Sequence, residues 1–371
     1  MDNSIKVLCI STNGIILDGI TCWLKSTFSS MNLDGFKVVT TAFEDSSSSL
    51  CDSVRSCGVD VVTVPNRKKH PIRYMKAFRR LLHEGHFDIV HVCCNSAMAT
   101  FELVEARRQR IEMRIAHSHN TSCEHRIMNS LLDPLFQASI TDRFACGKDA
   151  GSWLFGDRPF IVIPNGKLLE AYSYSSKVRE SVRKELGLSS NNVAYGHVGA
   201  FNEQKNHEKL LDVFFELHRR NPAARLLLIG EGELQSRIQR KASTMGIADA
   251  VVFLGRRDDV PRLLNAMDCM IFPSLFEGLP NVVLEWQLNG LPLIMSDTIT
   301  DECIMTGLVS RVSLELSSAK WADKAEHVMS IGDRSVDSSS AINAARTAGY
   351  DIRDSSALLR RLYLGGVERC G

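Results

Sequence analysis

Residues 193–211 read VAYGHVGAFNEQKNHEKLL, an apolar run closed by Gly199 and followed by a helical pattern that begins near Asn206. Strand, glycine turn and helix in that order make half of a βαβ unit. Leu210, Val213, Phe214 and Leu217 recur at helical spacing up to Pro222, which cannot continue a helix. Downstream the alternation continues through ARLLLIG (224–230), VVFLG (251–255), CMIFPS (269–274) and LPLIMSD (291–297), with helical stretches between. Upstream, IKVLCIS (5–11), FKVVTTA (36–42), VDVVTVP (59–65), FDIVHVC (87–93) and MRIAHSH (113–119) read as strands buried in a parallel sheet. The rhythm runs twice, and the polar, weakly patterned YSYSSKVRES (172–181) after IVIPNGK (161–167) marks the join.

A chain of 371 residues exceeds one ordinary core. The expected fold is therefore α/β with two doubly wound, Rossmann-like domains, 1–166 and 167–371, facing a central cleft. Strand ends that converge on a cleft suit a ligand with a phosphate-bearing half and a reacting half. The 44 basic and 43 acidic residues nearly cancel, which argues against a nucleic-acid partner. Eleven cysteines without a CxxC pair fit reduced thiols of a cytoplasmic protein. The start, MDNSIKVLCIST, lacks the pattern of a signal peptide, and no run approaches the ~18 apolar residues that span a bilayer, so any membrane contact is expected to be peripheral. Serine-rich segments at 46–49 and 335–340 are expected to be surface loops.

In FEGLPNVVLEWQ (276–287) two glutamates stand eight positions apart, Glu277 beside a Gly-Leu-Pro corner and Glu285 inside an apolar helical run. Pro280, near the first turn of the helix, lacks an N–H, but the neighbouring amides around Gly278 and Leu279 and the positive end of the helix offer an anion site. Glu285 has the chemistry to chelate a vicinal diol such as ribose. The plain alternative is a helix start with one solvated glutamate. Lys205 lies just before a helix, where it can neutralise a diphosphate, and Gly199 allows close backbone approach. IGEGEL (229–234) is a weaker signal, since a glycine pair after a strand is often only a turn. His117, His119 and Asn120 stand at a strand end in AHSHNTS (116–122). HxH recurs in metal sites, but no neighbouring carboxylate or cysteine set completes a tetrahedron. His119 is expected to hydrogen-bond in the cleft, and His91 to be a satisfied core histidine.

Residues 67–80, RKKHPIRYMKAFRR, hold seven Lys or Arg and no acid. Ile72, Met75, Phe78 and Leu82 are expected to form an apolar face between positive flanks, as for a helix packed on the sheet or resting on anionic lipid.

Together these stretches resemble family 4 of the retaining glycosyltransferases, and within it bacterial enzymes of capsule and exopolysaccharide assembly. PSLFEGLPNVVLEWQ, the QKNH segment, LLLIGEGEL, VVFLGRRDDVPRLLNAMD, RIAHSHN and the closing AGYDI carry the likeness in the family's order over nearly the whole chain. It implies a GT-B fold with an acceptor-binding first domain and a second domain that binds a nucleotide sugar, usually UDP-linked. The final helix, about 350–364, would pack back on the first domain. Glu285 would bind the ribose, and Glu277 with the amides of Gly278 and Leu279 would hold sugar and diphosphate. Lys205 would meet the diphosphate, Arg256 would lie by the base, and His119 would sit by the transferred sugar. Gly14, Gly19 and Asn120 would face the acceptor, a lipid-linked saccharide at the inner face of the cytoplasmic membrane. Neither metal nor cofactor is expected.

Two departures stand out. VGAF puts Ala200 where the family has an arginine, and the first glycine loop is STNGIILDGIT. Losing a charge-assisted contact is worth roughly 1.5–3 kcal/mol. The clamp would be weaker, restored by another arginine such as Arg256, or inactive. The competing readings are a non-catalytic glycosyltransferase-like subunit of an assembly complex and a GT-B sugar-nucleotide epimerase.

Overall fold

The computed structural model describes residues 4–16, 18–123, 125–330 and 332–368. Leu17, inside the STNGIILDGIT loop, lies outside the described residues. Two units emerge, residues 1–167 with 349–371 and residues 168–348.

The first unit contains β1 (Ile5–Ser11), α1 (Gly19–Ser30), β2 (Phe36–Phe43), α2 (Ser48–Arg55), β3 (Val59–Val64), α3 (Pro71–Gly85), β4 (Ile89–Cys94), α4 (Thr100–Arg108), β5 (Met113–Ser118), α5 (Arg126–Ser139), β6 (Asp142–Ala145), α6 (Lys148–Phe155) and β7 (Ile161–Val162). Its strands form one parallel sheet in the order β3-β2-β1-β4-β5-β6-β7. Every residue of β4 is buried, as a strand covered on both faces requires. Two cores flank the sheet. One includes Trp23, Phe28 and Ile115, and the other includes Tyr74, Phe78 and Phe136.

The second unit contains α7 (Ser176–Glu185), β8 (Ala194–Val198), α8 (His207–Arg220), β9 (Arg225–Ile229), α9 (Gln235–Thr244), β10 (Val251–Gly255), α10 (Val260–Leu264), β11 (Cys269–Phe272), α11 (Asn281–Leu288), β12 (Leu293–Ser296), β13 (Val309–Val312), α12 (Ser318–Met329) and α13 (Arg334–Thr347). Its parallel sheet runs β10-β9-β8-β11-β12-β13. A last helix, α14 (Ile352–Glu368), belongs to the first unit, where Leu359 and Tyr363 enter the core beside α1. A parallel bridge between Lys167 and Asp351 fixes its start.

The serine-rich segments differ from expectation, because both enter helices. Ser48 opens α2, and residues 335–340 lie within α13. Asp333 caps α13 by accepting from the amides of Ser335 and Val336, and Ser338 donates to the Leu288 carbonyl at 2.6 Å. The Ser338 hydroxyl satisfies a backbone carbonyl from within a capped helix, so a polar composition does not mean a loop. The YSYSSKVRES stretch likewise contains the start of α7, capped by Ser175. The apolar face of α3 also shifts. Tyr74, Phe78 and Leu82 are buried, whereas Ile72 is 74% exposed.

Arg334 ties α13 to the body of its unit by donating to the carbonyls of Leu264 (2.7 Å) and Asn289 (3.2 Å) and to Met267 O. Burial, with Arg179 nearby, brings its guanidinium down to about 9. Replacing Arg334 by Met removes the donors and leaves buried carbonyls unpaired. The expected loss is about 2–4 kcal/mol of unit stability, read as a lower urea midpoint.

Candidate functional site

In the second sheet the chain leaves β8 for β9 and β10 on one side and then crosses to β11 on the other. The carboxyl ends of β8 and β11 therefore flank a switch point, where an open α/β sheet leaves a crevice. Lys205 follows β8 and Glu277 follows β11. Their side chains meet there, Lys205 Nζ donating to Glu277 Oε1 at 2.6 Å, with only 16% and 9% of the side chains exposed. The ammonium also lies 5.1 Å from the centre of the Phe272 ring.

The residues around Lys205 lace the two loops together. Gln204 accepts from the Leu275 amide at 2.8 Å through its carbonyl and donates from its side chain to Phe276 O. Asn206, in the left-handed region at φ 52°, donates to Pro273 O and caps α8. From β9, Gly230 approaches so closely that a Cβ there would lie 2.1 Å from Gly199 O, and one on Gly232 would lie 2.5 Å from Phe201 O. The glycine pair read from sequence as a weak signal is what lets this loop press on Gly199.

Pro280 precedes α11 in extended conformation, and among the described residues the amides of Gly278 and Leu279 donate to no protein acceptor. Glu285 is 8% exposed on a helix whose Val283, Leu284, Trp286, Gln287 and Leu288 are also buried. It is not the solvated glutamate of the plain alternative. Ala200 is exposed. Arg256 is exposed at the end of β10, two strands and about 10 Å from β8 in the sheet, and among the described residues it makes no ion pair.

Two further residues entered the site unforeseen. His197 donates through Nδ1 to Ile271 O at 2.9 Å, and its ring lies 4.7 Å from that of His207. His207 stacks on Phe201 at 4.1 Å. The HxxxxxxxKxH pattern is visible in sequence, but the stacking is not.

In the first unit, β1 and β4 flank the corresponding switch point. Gly14 turns at φ 72° against the Phe43 ring, and Gly19 opens α1, which Asp18 caps by accepting from the Thr21 amide. His119, followed by Asn120, packs on Trp23 with ring centres 5.1 Å apart. Burial holds the His119 imidazole down at about 3, so it is neutral near pH 7. Among the described residues its Nε2 is buried without a partner. His91 is satisfied, with Nδ1 2.6 Å from Tyr363 Oη and Nε2 3.1 Å from His117 Nδ1. The expectation was that no neighbouring carboxylate or cysteine set completes a tetrahedron; sheet register does set one cysteine, Cys93, directly beside His117. That pairing crosses strands and has no sequence signal.

Burial, followed by the charge of Lys205, keeps the His207 imidazole at about 4, against an ordinary value of 6.5. The unfolded chain gains this proton near pH 6.5 and the folded chain only near 4, so folding stability falls as pH drops through that window. His207 should contribute up to roughly 3 kcal/mol of this acid loss. Urea midpoints at about pH 7.5 and about pH 5 should separate widely for the wild type and less for His207→Phe, which keeps the stack but cannot titrate.

Residues 193–330 match the family model of the group 1 glycosyl transferases. The putative glycosyltransferase EpsF of Bacillus subtilis is 30% identical over 332 residues, covering 86% of each chain. The UDP-Gal:alpha-D-GlcNAc-diphosphoundecaprenol alpha-1,3-galactosyltransferase of Escherichia coli is 26% identical over 283 residues, 72% of this chain and 73% of that one. Among solved structures, Anabaena HepE in complex with UDP-glucose superposes with a TM-score of 0.81 at 17% identity, covering 97% of this chain and all of HepE, which shows the GT-B fold. Fold, site and a relative matched over most of its length agree that the chain belongs to the group 1 glycosyltransferases.

Proposed function

We propose that this glycosyltransferase moves a sugar, with retention of anomeric configuration, from a UDP-linked donor to a lipid-linked saccharide in surface polysaccharide biosynthesis. The observation that carries the reading is the shielded Lys205–Glu277 pair beside the unpaired Gly278 and Leu279 amides. Negative charge builds on the departing diphosphate in the transition state, and donors already fixed in place stabilise it without reorganisation. Lys205 and the loop amides take that role, with no metal required. Glu285 receives the ribose hydroxyls, Glu277 the donor sugar. A donor phosphate oxygen takes the acceptor proton on the face from which the leaving group departs. His119, being neutral, serves the sugar as a hydrogen-bonding group and not as a cation. The HepE structure holding UDP-glucose and the E. coli relative, named for a UDP-sugar and a diphosphoundecaprenol acceptor, support the choice of substrates.

The exposed methyl of Ala200 favours a second reading, a non-catalytic subunit. Calorimetry with UDP and turnover of UDP-sugars separate the two. Glu285→Gln should weaken UDP about 10- to 100-fold, because an amide cannot accept from both ribose hydroxyls as a carboxylate does. Glu277→Gln should abolish turnover yet spare UDP, which lacks the transferred sugar that Glu277 receives. Undiminished UDP affinity in Glu285→Gln overturns the assignment, and a wild type that binds no nucleotide sugar supports the non-catalytic subunit.

No described helix is long and apolar enough to cross a membrane. The basic segment 67–80 is less free than its sequence implies, because Arg67 pairs with Glu102, Lys69 with Asp45, Arg79 with Glu105 and Arg80 with Glu84. Packed beyond α3 and α4, α5 shows Ile127 (81% exposed), Met128, Leu131 (70%) and Leu135 on one side. We assign the peripheral contact with the inner membrane face to this apolar stripe, aided by Lys68 and Lys76. Replacing Ile127, Leu131 and Leu135 by Ser should remove most co-flotation with anionic vesicles, and changing Lys68 and Lys76 to Gln should lower it modestly. Flotation unaltered by the apolar changes counts against the assignment.

A further inference from the structure

On the α1 side of the first sheet, β4 and β5 bring His91, Cys93 and His117 into one buried cluster. One donor atom from each lies within 4.8 Å of the others. None of these side chains is among those assigned to donor or acceptor. Cys93 and His117 are register partners on adjacent parallel strands, and His91 lies two residues back on the same face as Cys93.

We propose that His91, Cys93 and His117 form a structural site for a borderline d-block cation such as zinc. The His91 Nε2 to His117 Nδ1 separation of 3.1 Å is close to the roughly 3.3 Å that two nitrogens adopt on a tetrahedral zinc with bonds of about 2.0–2.1 Å. Two imidazoles and a thiol are the ligand types such an ion selects over magnesium or calcium. His91 Nδ1 already has the partner that a ligating histidine requires for orientation, Tyr363 Oη at 2.6 Å. The cluster also holds unpaired capacity, since among the described residues His117 Nε2 and His119 Nε2 are both buried without partners. Cys9, the register partner of His91 on β1, and His119, whose ring lies 4.1 Å from that of His117, adjoin the cluster. Trp23 closes the cluster, with its ring 4.9 Å from that of His117.

Uptake replaces the thiol proton, so that Cys93–SH and a divalent ion give a thiolate–metal bond and one released proton. The bound ion would join β4 and β5 and, through His91 and Tyr363, hold α14 against the sheet. Its role is to staple the end of the chain to the first unit. It is not part of sugar transfer.

The test uses the full chain with Cys22, Cys57, Cys123 and Cys370 changed to Ser, folded in the presence of zinc or cobalt and then freed of excess metal. Retention of about one metal per chain is expected, with a thiolate-to-cobalt charge-transfer band and a higher melting temperature than the metal-free protein. Cys93→Ser should lose the band and bind at least about tenfold more weakly, and Tyr363→Phe should weaken binding about 10- to 100-fold without removing the band. If Cys93→Ser fails to fold, His117→Asn in the same background takes its place, with the same loss of affinity expected. No retained metal overturns the proposal. So does metal whose band and affinity survive Cys93→Ser or His117→Asn.

Discussion

An ammonium and a carboxylate drawn from two sides of a sheet, and largely hidden from water, hold the candidate donor site together. Lys205 and Glu277 are 72 residues apart in sequence, and their 2.6 Å contact exists only because β8 and β11 are neighbours at a switch point. Each charge offsets the desolvation of the other, and losing either partner would leave an uncompensated charge in a shielded place. The surrounding loops follow from that requirement. Gln204 and Asn206 anchor one loop to the other, while Gly230 and Gly232 give up side chains so that a third can close in. The pair is also chemically suited to its proposed task, because an anion arriving at Lys205 meets a cation already fixed in position.

The first unit solves a different problem. Three imidazoles stacked beneath Trp23 are kept neutral by burial, which places titratable nitrogens where polar groups are costly. Tyr363 meets part of that cost from α14, the chain's last described helix. The terminal helix is therefore part of the core of a unit whose other residues ended at 167. In the second unit Arg334 does comparable work, replacing scattered unpaired carbonyls with one buried guanidinium. In both units a polar side chain from a late helix completes an interior built from earlier strands.

Periodicity and composition revealed the doubly wound pattern, because strands buried on both faces must be apolar throughout and helices must repeat near 3.6 residues. They revealed ten strands and missed β6, β7, β13 and the helical character of the serine-rich segments. β7 is two residues long, and Asp142–Ala145 (DRFA) and Val309–Val312 (VSRV) carry polar or charged residues in place of the apolar run that marked the equally short β11 and β12. Serine at 335–340 is helical because Asp333 caps the helix locally and Ser338 finds its acceptor, the Leu288 carbonyl, fifty residues away, where no short window shows it.

The candidate site divides in the same way. Sequence by itself determined the fold class and the residue types of the donor loop, since a glycine corner, a lysine ahead of a helix and two glutamates at fixed spacing are local chemistry. Only the tertiary structure decided that Glu285 is buried, that Lys205 is paired with Glu277, that Arg256 stands exposed at the sheet edge, and that Cys93 adjoins His117. Burial and ion pairing depend on which strands become neighbours, and that choice is settled by crossovers spanning tens of residues that no short window of sequence contains.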